Sequence, residues 1–366
     1  MLTPDHILER FPKMSDTELE RRLAHPGKPA RVIIDTDAAN EIDDQFALAW
    51  ALLSPERLRL EGVTAVPFSF RHHREGIIES VRLLKQGGSL DDAYVGGLRG
   101  WAERIIAAGR DPQDIVFVDP DEGAELSYLE ILRVFEKCGV ESGGKVFRGS
   151  PNYLSSLDEP IASPSAEFII ERARAEPDEP LYVCAMGGVT NIASALLMAP
   201  DIIRNIVVIW TSAFPSHSPN CNRPSLNLVQ DPLGSRLMFD CGVPHVYLPG
   251  YHVGAQLKIS LPEMERFVDG KGAIGSYLHH LYTHNPLHEM FAITDPEERS
   301  WVMWDLIDIA WLFDPAWVPT TLVRSPVLDE ELYWRHKEGR HLMREAWDVN
   351  RDAIFMDLYR CLERAP

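Results

Sequence analysis

Apolar runs of two lengths alternate along the chain and are separated by polar, Gly- or Pro-containing breaks. Short β-branched runs at 32–34, 58–66, 93–95, 181–185, 206–210 and 244–248 have the length and composition of buried strands. Longer stretches at 46–53, 71–85, 126–138, 165–175 and 192–198 have helical length or period. This strand–helix alternation predicts an α/β fold with a mostly parallel central sheet and helices on both faces. Residues 98–120 read as loop-rich. The irregular stretch 139–164 is long enough for a lid or an insertion, and equally suits a plain surface loop. From 261 onward the pattern is helical, with a Trp-rich helix expected over 296–313. A β-like segment is expected at 317–332 and an amphipathic helix at 349–362. Residues 1–30 are polar and carry a capping-box pattern, Ser15 to Glu18. They read as a helical arm packed onto a single domain spanning 31–366.

The first strand ends abruptly in acid. Asp35 and Asp37 follow its apolar run, then Glu41, Asp43 and Asp44 precede the first long helix, so five carboxylates crowd one turn. A helix N-terminus stabilises an anion by roughly 0.3–1 kcal/mol, too little to hold five together. Like charges in a partly desolvated turn either protonate or recruit a cation. An all-oxygen donor set suits a hard ion, Ca²⁺ before Mg²⁺ when several carboxylates are offered. The alternative is an acidic helix cap on a solvated loop.

Composition narrows the partners. Among 366 residues the formal net charge is −19, which argues against nucleic-acid binding. It also disfavours a polyanionic substrate unless metal ions or a local basic patch intervene; a neutral small molecule is compatible. The five cysteines are scattered and read as free thiols in a reducing compartment. No signal peptide is recognisable in residues 1–10, and the longest apolar run is far short of a membrane span. A cytoplasmic protein without a membrane partner is therefore expected.

Asp35-Thr-Asp37 followed by Asp43-Asp44 at the end of a first strand resembles the signature of the nucleoside hydrolases, the Ca²⁺-dependent N-ribohydrolases. The loop here is longer by two residues and carries Asn40 and Glu41. Three later stretches extend the resemblance over most of the chain beyond residue 30. Ala185-Met-Gly-Gly-Val-Thr-Asn-Ile-Ala193 is similar to the family's Gly-x-Leu-Thr-Asn turn, which implies that the Met186 carbonyl faces the ion. Gly187 and Gly188 would let the backbone approach closely. Ser225-Leu-Asn227, followed by Asp231-Pro232, is similar to a Glu-Phe-Asn and Asp-Pro pattern whose Glu and Asn hold ribose hydroxyls. Asn227 fits, whereas Ser225 stands in the Glu position, and Glu41 is a candidate replacement. Asn220 or Asn222 could match a further sugar-binding Asn, and Asp231 reads as a helix cap. Trp304-Asp305 resembles a His-Asp pair whose Asp completes the calcium shell, with Trp304 in the position of the His.

The resemblance implies Ca²⁺ held by Asp37, Asp44, the Met186 carbonyl and Asp305, with Asp37 as general base toward water. It assigns ribose contacts to Asp43 and Asn227, further substrate contacts to Asn40, Glu41 and Trp304, and an orienting role to Asp35. A nucleoside or related riboside is the implied substrate, and a homodimer or homotetramer the implied assembly. Proton donors to the departing base are sought among Tyr277, His279, His280, Tyr282, His284 and His288. Two other readings stay open. One is a member of this fold that binds a riboside without turning it over. The other is an Asp-x-Asp phosphatase with Mg²⁺ and a nucleophilic Asp35, against which stands Ala39 where that motif wants Thr or Val.

Overall fold

A computed structural model describes residues 3–27, 29–90, 98–285 and 287–366. Eight strands form the main sheet: β1 (Ala30–Thr36), β2 (Leu58–Ala65), β3 (Val146–Phe147), β4 (Leu181–Ala185), β5 (Ile206–Ser212), β6 (His245–Pro249), β7 (Thr320–Arg324) and β8 (Leu342–Ala346). Their order is β3-β2-β1-β4-β5-β6-β8-β7. Neighbours run parallel except the edge pair β7 and β8.

Both faces of the sheet are covered, for a reason visible within single strands. Successive side chains of a strand point to opposite faces. Val32 and Ile34 of β1 enter one apolar core, with Phe46, Trp50, Phe135, Trp311 and Phe355. Ile33 enters the other, with Phe168, Ile192, Leu196 and Phe239. A strand buried on both sides holds a polar side chain only where it finds a partner, as Arg31 does on Glu61, so these strands read mostly as continuous apolar runs rather than alternating ones. The arm contributes to both cores, Leu19 and Leu23 to the first and Ile7 and Phe11 to the second. Its capping box forms as the sequence predicts, at the start of the helix Asp16–Arg22. A third, smaller core unites Phe70, Ile77, Trp101, Ile105 and Phe117 beside the carboxyl ends of the strands.

Several sequence expectations are corrected. A helix, Arg99–Ala107, lies in the stretch read as loop-rich, because Trp101, Ala102 and Ile105 form one apolar face that the third core buries. The long helix expected at 296–313 is only Leu306–Phe313. Trp301–Val302 ahead of it pairs antiparallel with Lys258–Ile259, which leaves Asp305 as the N-cap residue. β8 was not expected at all. The stretch 139–164 supplies the edge strand β3 and is otherwise irregular. The strand expected at 93–95 lies outside the described residues. All five cysteines are free, and among the described residues no helix is long and apolar enough to cross a membrane.

Candidate active site

The end of β1 is where the acids gather, at the carboxyl edge of the parallel strands. Asp35 is fully buried. One of its oxygens accepts from Thr64 Oγ1 at 2.6 Å and Asn191 Nδ2 at 2.9 Å, while Oδ2 has no partner. Burial pushes its pKa up to about 7 against the pull of those two donors. Thr36, pointing the other way, donates to Asp44.

Asp43 and Asp44 open the helix Asp43–Leu52, and Asp305 meets them from the start of Leu306–Phe313. These three buried residues each offer a carboxylate oxygen, and the three atoms lie within 4.8 Å of one another. At an effective dielectric of about 20, two unit charges at that separation repel by at least about 3 kcal/mol. Burial first, then neighbouring charge, raises the pKa values of Asp43 and Asp305 well above the carboxylate range. Burial pushes Asp44 up to about 6. Asp43 Oδ1 and Asp305 Oδ2 are buried without a hydrogen-bond partner. Unpaired oxygens on crowded, desolvated carboxylates are what a hard divalent cation would satisfy. By donor chemistry and spacing the residues present fit such an ion.

Asp37 stands beside this triad. Its charge raises the pKa values of Asp43 and Asp305, and burial followed by Asp44 raises its own. Its Oδ2 accepts from Asn40 Nδ2 at 3.2 Å. Gly187 is obligatory here, since a β-carbon would sit 2.7 Å from Asp37 Cγ. The Met186 carbonyl accepts from Asn227 Nδ2 at 2.9 Å, and the same nitrogen reaches Thr211 O at 3.1 Å. Asn227 therefore braces the carbonyl and keeps its own Oδ1 for other partners.

Asp37, Asn40, Glu41, Asp43, Asp44, Met186, Asn227, Trp304 and Asp305 all line one cavity of about 390 Å³, within the range of small-molecule sites. Glu41 is half-buried; burial, then Asp44, pushes its pKa up to about 7 against the pull of the neighbouring Trp304 and Trp301 side chains. Trp304 meets Tyr251 edge-on, ring centroids 5.7 Å apart. Ser225 also lines the cavity, but its hydroxyl accepts from Ala213 N at 2.8 Å and pairs with Ser212 Oγ at 3.1 Å. Asn222 is spent on Phe214 N and Leu332 O, and neither it nor Asn220 lines the cavity. Asp231 caps its helix through Gly234 N at 2.8 Å and accepts from Thr190 Oγ1 at 2.6 Å.

The side chains sought as proton donors do not line the cavity. His279 pairs with Asp269, His280 stacks on His284, and His288 packs on Trp301. Tyr277 and Tyr282 donate to Glu130 and to Arg299 O. The far wall is instead Phe70, His73, Trp101, Arg104, Tyr251 and Phe291, which the sequence reading missed. Their one sequence signal is position: Phe70 and His73 follow the carboxyl end of β2. His73 is buried, and that burial brings its pKa down to about 3, so it is neutral at pH 7.

Comparison with known proteins bears directly on this site. The family model described as inosine-uridine preferring nucleoside hydrolase matches residues 32–355. A curated relative, "Probable uridine nucleosidase 2" of Arabidopsis thaliana, is 26% identical over 255 residues, 69% of this chain and 68% of that protein. Among solved structures, the purine-preferring ribonucleoside hydrolase from Gardnerella vaginalis superposes with a TM-score of 0.62 at 17% identity, over 91% of this chain and 98% of that one. The type III effector protein XopQ, solved with adenosine diphosphate ribose, gives 0.57 at 15% identity over 97% and 99%.

Proposed function

This chain belongs to the inosine-uridine preferring nucleoside hydrolase family and is an N-glycosyl hydrolase; from that premise we propose that it cleaves the N-glycosidic bond of a ribonucleoside with Ca²⁺ as its metal. One observation carries the reading: the buried Asp43, Asp44 and Asp305 triad, with two oxygens unpartnered, opening into a cavity of small-molecule size.

Asp44 and Asp305, with Asp37 and the Met186 carbonyl alongside, would hold the ion. When bound, Ca²⁺ supplies a Lewis acid that lowers the pKa of water and orients sugar hydroxyls. Asp37, gripped by Asn40 and walled by Gly187, takes the proton of the attacking water. Attack at C1′ proceeds as the bond to the base opens, through an oxocarbenium-like state that neighbouring carboxylates stabilise. Asp43 and the free Oδ1 of Asn227 accept from ribose hydroxyls. With Ser225 spent on Ala213 N, Glu41 is the remaining carboxylate that can take the role of the missing Glu. The base is received by the aromatic wall of Trp304, Tyr251, Trp101 and Phe291. His73 on the same wall is neutral rather than an imidazolium, because burial brings its pKa down to about 3.

A second reading, a riboside binder without turnover, is favoured by two positions: Ser225 for the Glu and Trp304 for the His. One assay separates them. Purified protein is incubated with purine and pyrimidine ribonucleosides and with adenosine diphosphate ribose, and the free base released together with its sugar is measured. Hydrolysis that is abolished by chelation and by Asp37→Ala supports the enzyme; binding without sugar release supports the binder.

A further inference from the structure

Gln230 lies one layer behind the cavity, buried between Asp37 and the segment that carries Tyr153. Its Oε1 accepts two hydrogen bonds, from Ser69 N at 2.7 Å and from Tyr153 Oη at 2.6 Å. A backbone N–H donates only, which fixes which end of the amide is oxygen. Burial and the charges of Asp37 and Asp231 hold the Tyr153 phenol protonated, so it donates as well. The amide NH₂ therefore has one direction left. It is buried without a hydrogen-bond partner of its own, and it is a lowering influence on the pKa of the neighbouring Asp37 carboxylate. Tyr153 itself is anchored: Ser150 N donates to Asn191 Oδ1 at 2.8 Å and Leu154 N to Asp231 Oδ2 at 3.3 Å. Asn191 also donates to Asp35, so the same side chains tie this segment to the floor of the site.

We infer that Gln230 is a positioning residue for the hydrolysis, holding the Asp37 carboxylate in its working orientation, and that Tyr153 and Ser69 N lock the amide so that only its donor end can face that acid. The inference rests on Asp37 acting as the base. It gives the irregular 148–163 segment a part in catalysis through a side chain that never touches substrate.

Gln230→Glu separates positioning from mere packing. The replacement is isosteric and keeps an oxygen for Ser69 N and Tyr153 Oη, yet turns a carboxylate toward Asp37 where a donor stood. We expect kcat to fall by on the order of 10²-fold with KM changed by less than about threefold, the scale of a misplaced reacting group. Tyr153→Phe removes one oxygen atom, frees the amide to turn and lowers kcat by roughly tenfold. Gln230→Glu and Tyr153→Phe proteins that both turn over within about threefold of wild type would overturn the inference. Should wild type itself release no sugar from any riboside, the functional reading fails and crystal structures decide this one. A turned Asp37 carboxylate in Tyr153→Phe supports it, and an unmoved one refutes it.

Discussion

Replacing Asp44 by Asn should stabilise the metal-free protein and abolish its response to calcium. The acid is buried in a shared cluster, and burial pushes its pKa up to about 6 from 3.8. A carboxylate whose folded pKa lies above its unfolded value binds more protons when folded. It therefore destabilises the fold as pH rises from the unfolded value through the folded one. At about 1.36 kcal/mol per pKa unit, the ionised Asp44 costs the metal-free state about 3 kcal/mol at pH 7. Scaled by an unfolding entropy of about 2.1 cal/mol/K per residue over 366 residues, that is roughly 4 °C of melting temperature. Asn keeps an oxygen for the Thr36 hydroxyl, so the change removes charge with little loss of packing. The assay is thermal melting in chelator from pH 4.5 to 8, repeated with Ca²⁺. Wild type in chelator should melt lower as pH rises from about 4 to 7, and calcium should remove that slope by linkage. Asp44→Asn should melt roughly 4 °C higher at pH 7 in chelator and gain little from the ion. A wild-type melting temperature that is flat with pH in chelator, or equal stabilisation of both proteins by calcium, refutes the reasoning.

Two further outcomes are expected. Gly187→Ala forces a β-carbon to 2.7 Å from Asp37 Cγ; sugar release should fall by about 10²-fold, and a variant with near-wild-type kcat would show that the acid has room to move without cost. Asp308 is fully buried with both carboxylate oxygens unpartnered, so Asp308→Leu should stabilise the metal-free fold by about 1–3 kcal/mol, and chemical denaturation showing a loss of that size would reveal a partner for the acid.

What the sequence makes legible is what short-range pattern determines. β1, β4, β5 and β6 are buried along their whole length and β2 over its second half, so their apolar runs stand out from polar surroundings. β8 hides because Leu342-Met-Arg-Glu-Ala346 carries two charges in a central position. Both are satisfied only in three dimensions: Arg344 Nε donates to Leu23 O at 2.7 Å, and Glu345 accepts from Ser216 N at 2.7 Å and Ser216 Oγ at 2.6 Å. The acidic floor of the site was likewise readable, because Asp37, Asp43 and Asp44 lie in one short segment and Asp305 stands at the edge of an apolar run. Its aromatic wall was not. Phe70, Trp101, Tyr251 and Phe291 come from four separate segments, and each alone is indistinguishable from a core residue.

The convergence of this site follows from a single period-two alternation. At the end of β1, Asp35 points to one face of the sheet and Thr36 to the other. Asp35 receives Asn191, from the first turn of the helix Thr190–Met198 in one core. Thr36 reaches Asp44, from the first turn of Asp43–Leu52 in the other. Two helices on opposite faces thus aim their N-termini, and the partial positive charge these carry, at the tip of one strand. That field eases the concentration of anionic side chains there but is too weak to neutralise them, which leaves the buried triad in need of a cation. The longer loop between Asp37 and Asp43 then carries Glu41 to the Trp304 and Trp301 indoles. A one-residue slip of β1 against β4, which now pairs Asp35 with Ala185, would exchange the two faces and withdraw Asp35 from Asn191 and Thr36 from Asp44 together. The site is therefore specified by strand register as strictly as by the acids themselves.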